Sequence, residues 1–140
     1  MTRRDAEGPI HRVTLPWPKR ELSPNARVHH FVKARAVKAY RTGCAWEAKA
    51  AGLHRIDADS LAVSITFHPP DARRRDRDNL IAAFKSGADG IADVLGVDDA
   101  LWVPTYAIGA PVERGRVVFE ACGIREAGSL VRLPLRGIVK

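Results

Sequence analysis

The sequence predicts a mixed α/β (α+β) fold, in which a single mixed sheet of about four strands is covered by two main helices. Three observations carry that prediction. Residues 60–68 (SLAVSITFH) set Leu61, Val63, Ile65 and Phe67 at strict period two, the mark of a half-buried strand. Residues 79–95 set Leu80, Phe84, Ala88, Ile91 and Leu95 on one helical stripe. The segments follow one another as strand, helix, strand, helix, strand, strand, an order that one sheet with helices layered on it accommodates.

The elements follow from the amino end. Residues 1–9 read as a loose polar start, and 10–15 (IHRVTL) as a short strand. Pro16-Trp17-Pro18 ends it, because two prolines remove two ladder donors. A long helix is expected over 25–51, with Val28, Val32, Ala39 and Trp46 as its apolar stripe and Gly52 as its stop. Arg27, Arg35, Lys38, Arg41 and Lys49 lie on a neighbouring arc, which reads either as a solvated face or as a surface for an anionic partner. Pro69-Pro70 closes the second strand, and 71–78 (DARRRDRD) is a charged loop. The second helix starts at Asp78 or Asn79 with Asp78 as its N-cap, and Gly96 stops it. Strands over 101–108 and 116–121, joined through the turn VERG, are expected to form a hairpin. The basic and apolar tail, 124–140, is expected either as an arm on a partner subunit or as a free end.

One domain is the expectation for 140 residues. Apolar residues make up 46%, which is enough for a core. A core of this size leaves little excess stability, which makes dimerisation a natural supplement. There is no apolar run long enough to span a bilayer and no apolar stretch near the start that would serve as a secretory signal, so no membrane partner and a cytoplasmic location are expected. Cys44 and Cys122 have neither metal nor redox spacing and fit a reducing compartment. His11, His29, His30, His54 and His68 have no ligand spacing and read as surface or core residues. Trp46 and Trp102 read as core. Trp17 and Tyr40 read as core or as stacking platforms for a base. With 23 Lys and Arg against 16 Asp and Glu, the net charge of +7 points to a polyanion, nucleic acid before a membrane surface.

The informative stretch runs from Arg73 to Asp99, where carboxylates are embedded in the most basic part of the chain. Asp76 and Asp78 are one residue apart, so in extended backbone both point the same way. Asp98-Asp99 follows the second helix and joins them only if the chain returns along that helix. Hard divalent cations such as Mg²⁺ take oxygen ligands, a few carboxylates together with water and substrate phosphate. Arg73, Arg74, Arg75 and Arg77 would meanwhile neutralise and position DNA phosphates. Without a metal the same carboxylates would repel that DNA, so the mixture suits a metal-dependent nuclease better than a plain DNA binder. Each residue also has an ordinary structural use: Asp78 as a cap, Asp76 as a partner for nearby arginines, Asp98 and Asp99 as turn residues. Lys85 lies seven residues beyond Asp78 on the same helical face. It either pairs with Asp89 one turn on or stabilises phosphate charge near the metal.

These motifs resemble the RusA family of Holliday junction resolvases. LPWP and SPNAR resemble the family's proline-rich entry, PPDARRRDRDNL its arginine-rich Asp-x-Asp-Asn motif, and VDDALW its Asp-Asp motif before a strand. The likeness covers 15–122, most of the chain. It implies a homodimer that binds four-way DNA junctions and makes paired symmetric nicks with Mg²⁺ or Mn²⁺, in recombination and repair, often in prophages. It puts the acidic metal ligands at Asp76, Asp78 and Asp99. The family's catalytic lysine falls, in some members, where this chain has Ala82, which leaves Lys85 as the candidate here. Two other readings stand beside this one. A non-catalytic basic DNA- or RNA-binding module predicts salt-sensitive binding without nicking. A basic regulator that binds a protein through its tail predicts loss of function when 124–140 is removed.

Overall fold

The computed structural model describes residues 6–125. They form strand β1 (Ala6–Pro16), helix α1 (His30–Ala50), strand β2 (Ser60–His68), helix α2 (Arg77–Leu95) and strands β3 (Trp102–Ile108) and β4 (Arg116–Ile124). Single 3₁₀ turns at Arg20–Leu22 and Asp99–Leu101 precede α1 and β3. The sheet order is β1-β4-β2-β3, with β2 and β3 parallel and the other pairings antiparallel. One mixed four-stranded sheet with two helices is therefore the architecture, as the segment order predicts.

The alternation of β2 is realised in full. Leu61, Val63, Ile65 and Phe67 are buried, and Val63, Ile65 and Phe67 lie beside their cross-strand partners Ala121, Phe119 and Val117 of β4 on the same face of the sheet. The stripe of α2 is realised too: Leu80, Phe84, Ala88, Ile91 and Leu95 are all buried. The Phe84 ring meets the ring of Phe67 edge-on at 6.0 Å, which ties α2 to the sheet. The other side of α2 is small because α1 lies against it. A Cβ on Gly87 would come 2.6 Å from the Tyr40 ring, and one on Gly90 would run into the backbone carbonyl of Arg41. Gly96, at φ 70°, ends α2 in the left-handed region that favours glycine.

Four expectations need correction. The helix predicted over 25–51 begins only at His30, where the His29 ring accepts the Phe31 amide as a cap. Its buried positions are Tyr40, Cys44 and Ala48, the i, i+4, i+8 row, and the Val28, Val32, Ala39, Trp46 stripe is not the core face. Trp46 is 69% exposed. Tyr40 and Cys44 win because the glycines of α2 leave room for them. The Tyr40 hydroxyl also donates to Pro16 O at 2.6 Å, anchoring α1 to the end of β1. Burial raises the Tyr40 phenol and pushes the Cys44 thiol up to about 12, so neither ionises near neutral pH.

β3 and β4 do not form a hairpin. The turn at Val112–Gly115 exists, with Gly115 N donating to Val112 O, but it delivers β4 between β1 and β2, while β3 lies on the far edge. The buried run Val117, Val118, Phe119 marks β4 as an inner strand. Residues 6–9, expected as loose, extend β1, and residues 1–5 lie outside the described residues. The proposed tail arm falls on 126–140, also outside them, and β4 itself runs on through Ile124.

Candidate nucleic-acid interface

A cleft of about 640 Å³ opens where β1 and β2 end. The loop after β1 gives it Trp17, Lys19 and Arg20; the loop after β2 gives Arg73, Arg74 and Arg75; the start of α2 gives Asp76, Asn79 and Leu80. Five cations and the amino end of a helix, with its partial positive charge, thus face one space. Asp76, not Asp78, is the N-cap of α2: its Oδ1 accepts from Asp78 N at 2.9 Å. Helical backbone begins at Arg77, one residue ahead of the expected start, and moves the cap with it.

The arginines of this loop divide into a brace and a free set. Arg75 Nη1 donates to Asp71 Oδ1 at 2.9 Å and to the carbonyls of Asp71 and Arg73 at 3.2 Å. Its guanidinium lies 5.8 Å from the Trp17 ring, and its side chain is only 16% exposed. Arg73 also pairs with Asp71, at 3.2 Å. Asp71 is therefore the carboxylate that the arginines use, and their bonds hold it well below the usual carboxylate range. The alternative use weighed for Asp76, as a partner for these arginines, thus falls to Asp71 instead. Among the described residues, the carboxylates of Asp76 and Asp78 take part in no ion pair, and Arg74 and Arg77 are exposed and unpaired.

Asp99 is not brought to this cleft. Lys85 Nζ donates to Asp89 Oδ1 at 2.6 Å and to Asp99 Oδ2 at 2.7 Å, so the expected Asp89 pair forms and Asp99, which was not expected as a partner, joins it on the same ammonium. The bonds to Asp89 and then Asp99 raise the Lys85 ammonium, and the bond from Lys85 lowers the Asp99 carboxyl. Asp98 caps the following turn by accepting from Ala100 N at 2.8 Å. The reason is topological. The unit β2-α2-β3 is a parallel crossover, and Trp102 at the start of β3 pairs with Leu61 at the start of β2. Leu95 O accepts from Ile56 N just ahead of β2, so α2 ends at the edge of the sheet away from the cleft. Asp99, placed before β3, reaches back as far as Lys85, midway along α2, and does not line the cleft. Among the described residues no group of three or more His, Cys, Asp or Glu side chains could hold a metal ion.

The remaining predicted contacts are scattered differently. Arg41 is taken up by Asp93 through Nε at 3.0 Å and Nη2 at 2.8 Å, and this pairing raises its pKa. Arg27 precedes α1 in an exposed loop, while Arg35 and Lys38 are exposed on α1. Arg35 borders a second groove of about 500 Å³ that shares Trp17 and Lys19 with the cleft. Lys19, Arg20 and Asn79 escaped the sequence reading. Their signal was in the sequence, where Lys19 and Arg20 follow Trp17 and Asn79 follows Asp76, but the meeting of those two segments in one cleft is created by the fold. No helix among the described residues is long and apolar enough to cross a membrane.

No family model matches the chain. A protein of Xylella fastidiosa (strain Temecula1 / ATCC 700964), described as an uncharacterized protein, is 40% identical over 124 residues, covering 86% of this chain and 81% of its own length. With that identity over that much of both chains, this chain belongs to the same family as the uncharacterized Xylella protein.

Proposed function

We propose that the chain is a Mg²⁺-dependent endonuclease for branched DNA, acting as a homodimer in the manner of the RusA-type Holliday junction resolvases it resembles. The observation that carries this reading is the cleft, where Asp76 sits among Lys19, Arg20, Arg73, Arg74 and Arg75 without an ion-pair partner among the described residues. A carboxylate in that setting repels phosphate unless a cation joins it. The acidic set fits a divalent ion only in part. Asp76 and Asp78, adjoining the first turn of α2, suit an ion that takes one or two carboxylates and fills its other positions with water and substrate phosphate. Asp99 does not join them within one chain. When bound, such an ion would polarise the phosphodiester and activate water. The protein's own share is positional: Arg74 and Arg77 offer unpaired guanidinium groups to phosphates, and Arg75 holds the loop against Trp17.

The failure of Asp99 to reach Asp76 favours a second reading, a basic module that binds branched DNA without cutting it. One assay separates the two: a labelled synthetic four-way junction incubated with the wild-type chain in Mg²⁺, in Mn²⁺ and in EDTA. Paired nicks that need the divalent ion support the nuclease. Tight, salt-sensitive binding with no nicks under either ion overturns it in favour of the module.

A further inference from the structure

Trp46 is left over by the fold. It is the most exposed of the large apolar side chains on the helices, at 69%, yet the exposed residues along one side of it on α1, Arg35, Lys38, Thr42 and Lys49, are charged or polar. We propose that this outer face of α1 holds an unpaired stretch of DNA, with Trp46 stacked on a base and Arg35, Lys38 and Lys49 on the adjoining phosphates. The inference rests on the DNA-binding reading above and adds to it the kind of DNA that is recognised.

Helical geometry groups these residues. At ~100° per residue, Arg35, Lys38, Thr42, Trp46 and Lys49 fall within about 80° of arc, along roughly 21 Å of helix. All five are exposed, and none of the three cations has an ion-pair partner among the described residues. The carboxylate nearest in sequence, Glu47, lies ~100° round the helix. The other charged groups close to this arc, Arg41 and Asp93, satisfy each other. An aromatic ring set among unpaired cations is how proteins hold single strands, since every base offers a π-face and every step offers a phosphate.

The same facts argue against other occupants. A second copy docked here about a two-fold axis would set cation against cation. A bilayer surface would want a broad apolar strip, but between Arg35 and Lys49 the uncharged side chains beside Trp46 are Thr42 and, at the edge of the arc, Ala39, and the exposed Phe31 stands apart from it, one turn before Arg35. The face is also continuous with the cleft, because Arg35 borders the groove that shares Trp17 and Lys19 with it. A branch point in the cleft would lead its unpaired strand past Arg35 and on to Trp46.

The test measures binding of labelled DNA to the full chain in EDTA, with a forked oligonucleotide, a single strand and a blunt duplex. Trp46→Ala, on an exposed helical site, is expected to weaken the fork and the single strand roughly 5- to 100-fold and leave the duplex unchanged. Trp46→Phe should recover most of the loss, and Lys38→Gln/Lys49→Gln should lower the single-strand salt slope by ~1.4. Trp46→Ala binding all three DNAs as wild type does would overturn the inference. If Arg74→Gln weakens every DNA in the same experiment, the cleft reading survives that failure. A wild-type chain that binds no DNA would overturn both. Conversion of a wild-type dimer into a monomer by Trp46→Ala would assign the face to self-association instead. Loss of binding to anionic phosphatidylserine vesicles, with DNA binding intact, would assign it to a membrane.

Discussion

Asp76 combines a structural task with a proposed chemical one, and two substitutions separate them. Its Oδ1 accepts from Asp78 N at 2.9 Å and caps α2. Asparagine ranks with aspartate at this position, so Asp76→Asn keeps the cap and loses only the attraction of the charge to the helix end, ~0.3–1 kcal/mol at an exposed site. Asp76→Ala loses the accepting oxygen as well, for a total of ~1–2 kcal/mol. In a chain of this length that lowers the melting temperature by roughly 3–5 °C per kcal/mol. The effect on DNA runs the other way. A unit negative charge about 5 Å from a phosphate in a water-like dielectric is worth ~0.8 kcal/mol, so its removal should tighten junction binding about fourfold. Urea unfolding, junction binding in EDTA and nicking in Mg²⁺ are measured on the same three proteins. Both variants should lose nicking, both should bind at least as well as wild type, and only Asp76→Ala should lose more than ~1 kcal/mol of stability. Wild-type nicking by a pure Asp76→Asn protein refutes the chemical assignment. Equal stability of the two variants refutes the cap.

Gly90→Ala should lower stability by about 1–2 kcal/mol, because its Cβ runs into the Arg41 carbonyl, whereas Gly43→Ala, with nothing near its Cβ, should raise it by ~0.5–1 kcal/mol. Denaturant unfolding with opposite signs is the expected result, and like signs would contradict the helix contact. Lys85→Met should lower stability by ~0.3–1 kcal/mol, discounted for the solvent around a largely exposed ammonium. The lowered Asp99 carboxyl contributes above its ordinary ~3.9 and is lost as pH falls through its folded value, and the raised Lys85 contributes below ~10.4 and is lost as pH rises through its own. The difference between wild type and Lys85→Met should therefore be flat from about pH 4 to 10 and close at both extremes; a gap confined to one end would contradict the pairing. Arg74→Gln should lower the salt slope of duplex binding by ~0.9, while Arg75→Gln should instead lower stability, as read by thermal melting, since Arg75 spends its bonds on Asp71.

Where a segment's own periodicity decides its burial, the sequence already carries the answer. β2 and α2 appear as read because Leu61 to Phe67 and Leu80 to Leu95 face a core whatever lies beyond it. α1 was misread because its inward face is selected by Gly87 and Gly90 of another helix, which admit Tyr40 and Cys44 and leave Trp46 outside. The β3–β4 hairpin failed for a similar reason: a local turn signal does not say which strand lies between. The cluster of basic residues around Asp-x-Asp was legible as composition, but its internal partition was not. That Asp71 takes up Arg73 and Arg75, leaving Asp76 and Asp78 outside any ion pair among the described residues, depends on how the loop folds back.

The parallel crossover also decides how the three aspartates of the resemblance can work together. Within one chain α2 separates them: Asp78 and Lys85, the partner of Asp99, are ~10.5 Å apart in helical rise, and β3 starts at the end of the sheet remote from the cleft. A three-carboxylate site therefore requires Asp99 of a second copy beside Asp76 and Asp78 of the first, which makes the acid set and the homodimer a single hypothesis. Mixed dimers test it. Asp76→Asn and Asp99→Asn chains are each expected to be inactive alone. Mixed together, a site shared between chains leaves one of the two sites with both residues intact, and single nicks in the junction should return. A site contained within each chain leaves every site with one substitution, and the mixture stays inactive. Full activity of Asp99→Asn alone would remove Asp99 from the chemistry and leave Asp76 and Asp78 as the whole carboxylate set.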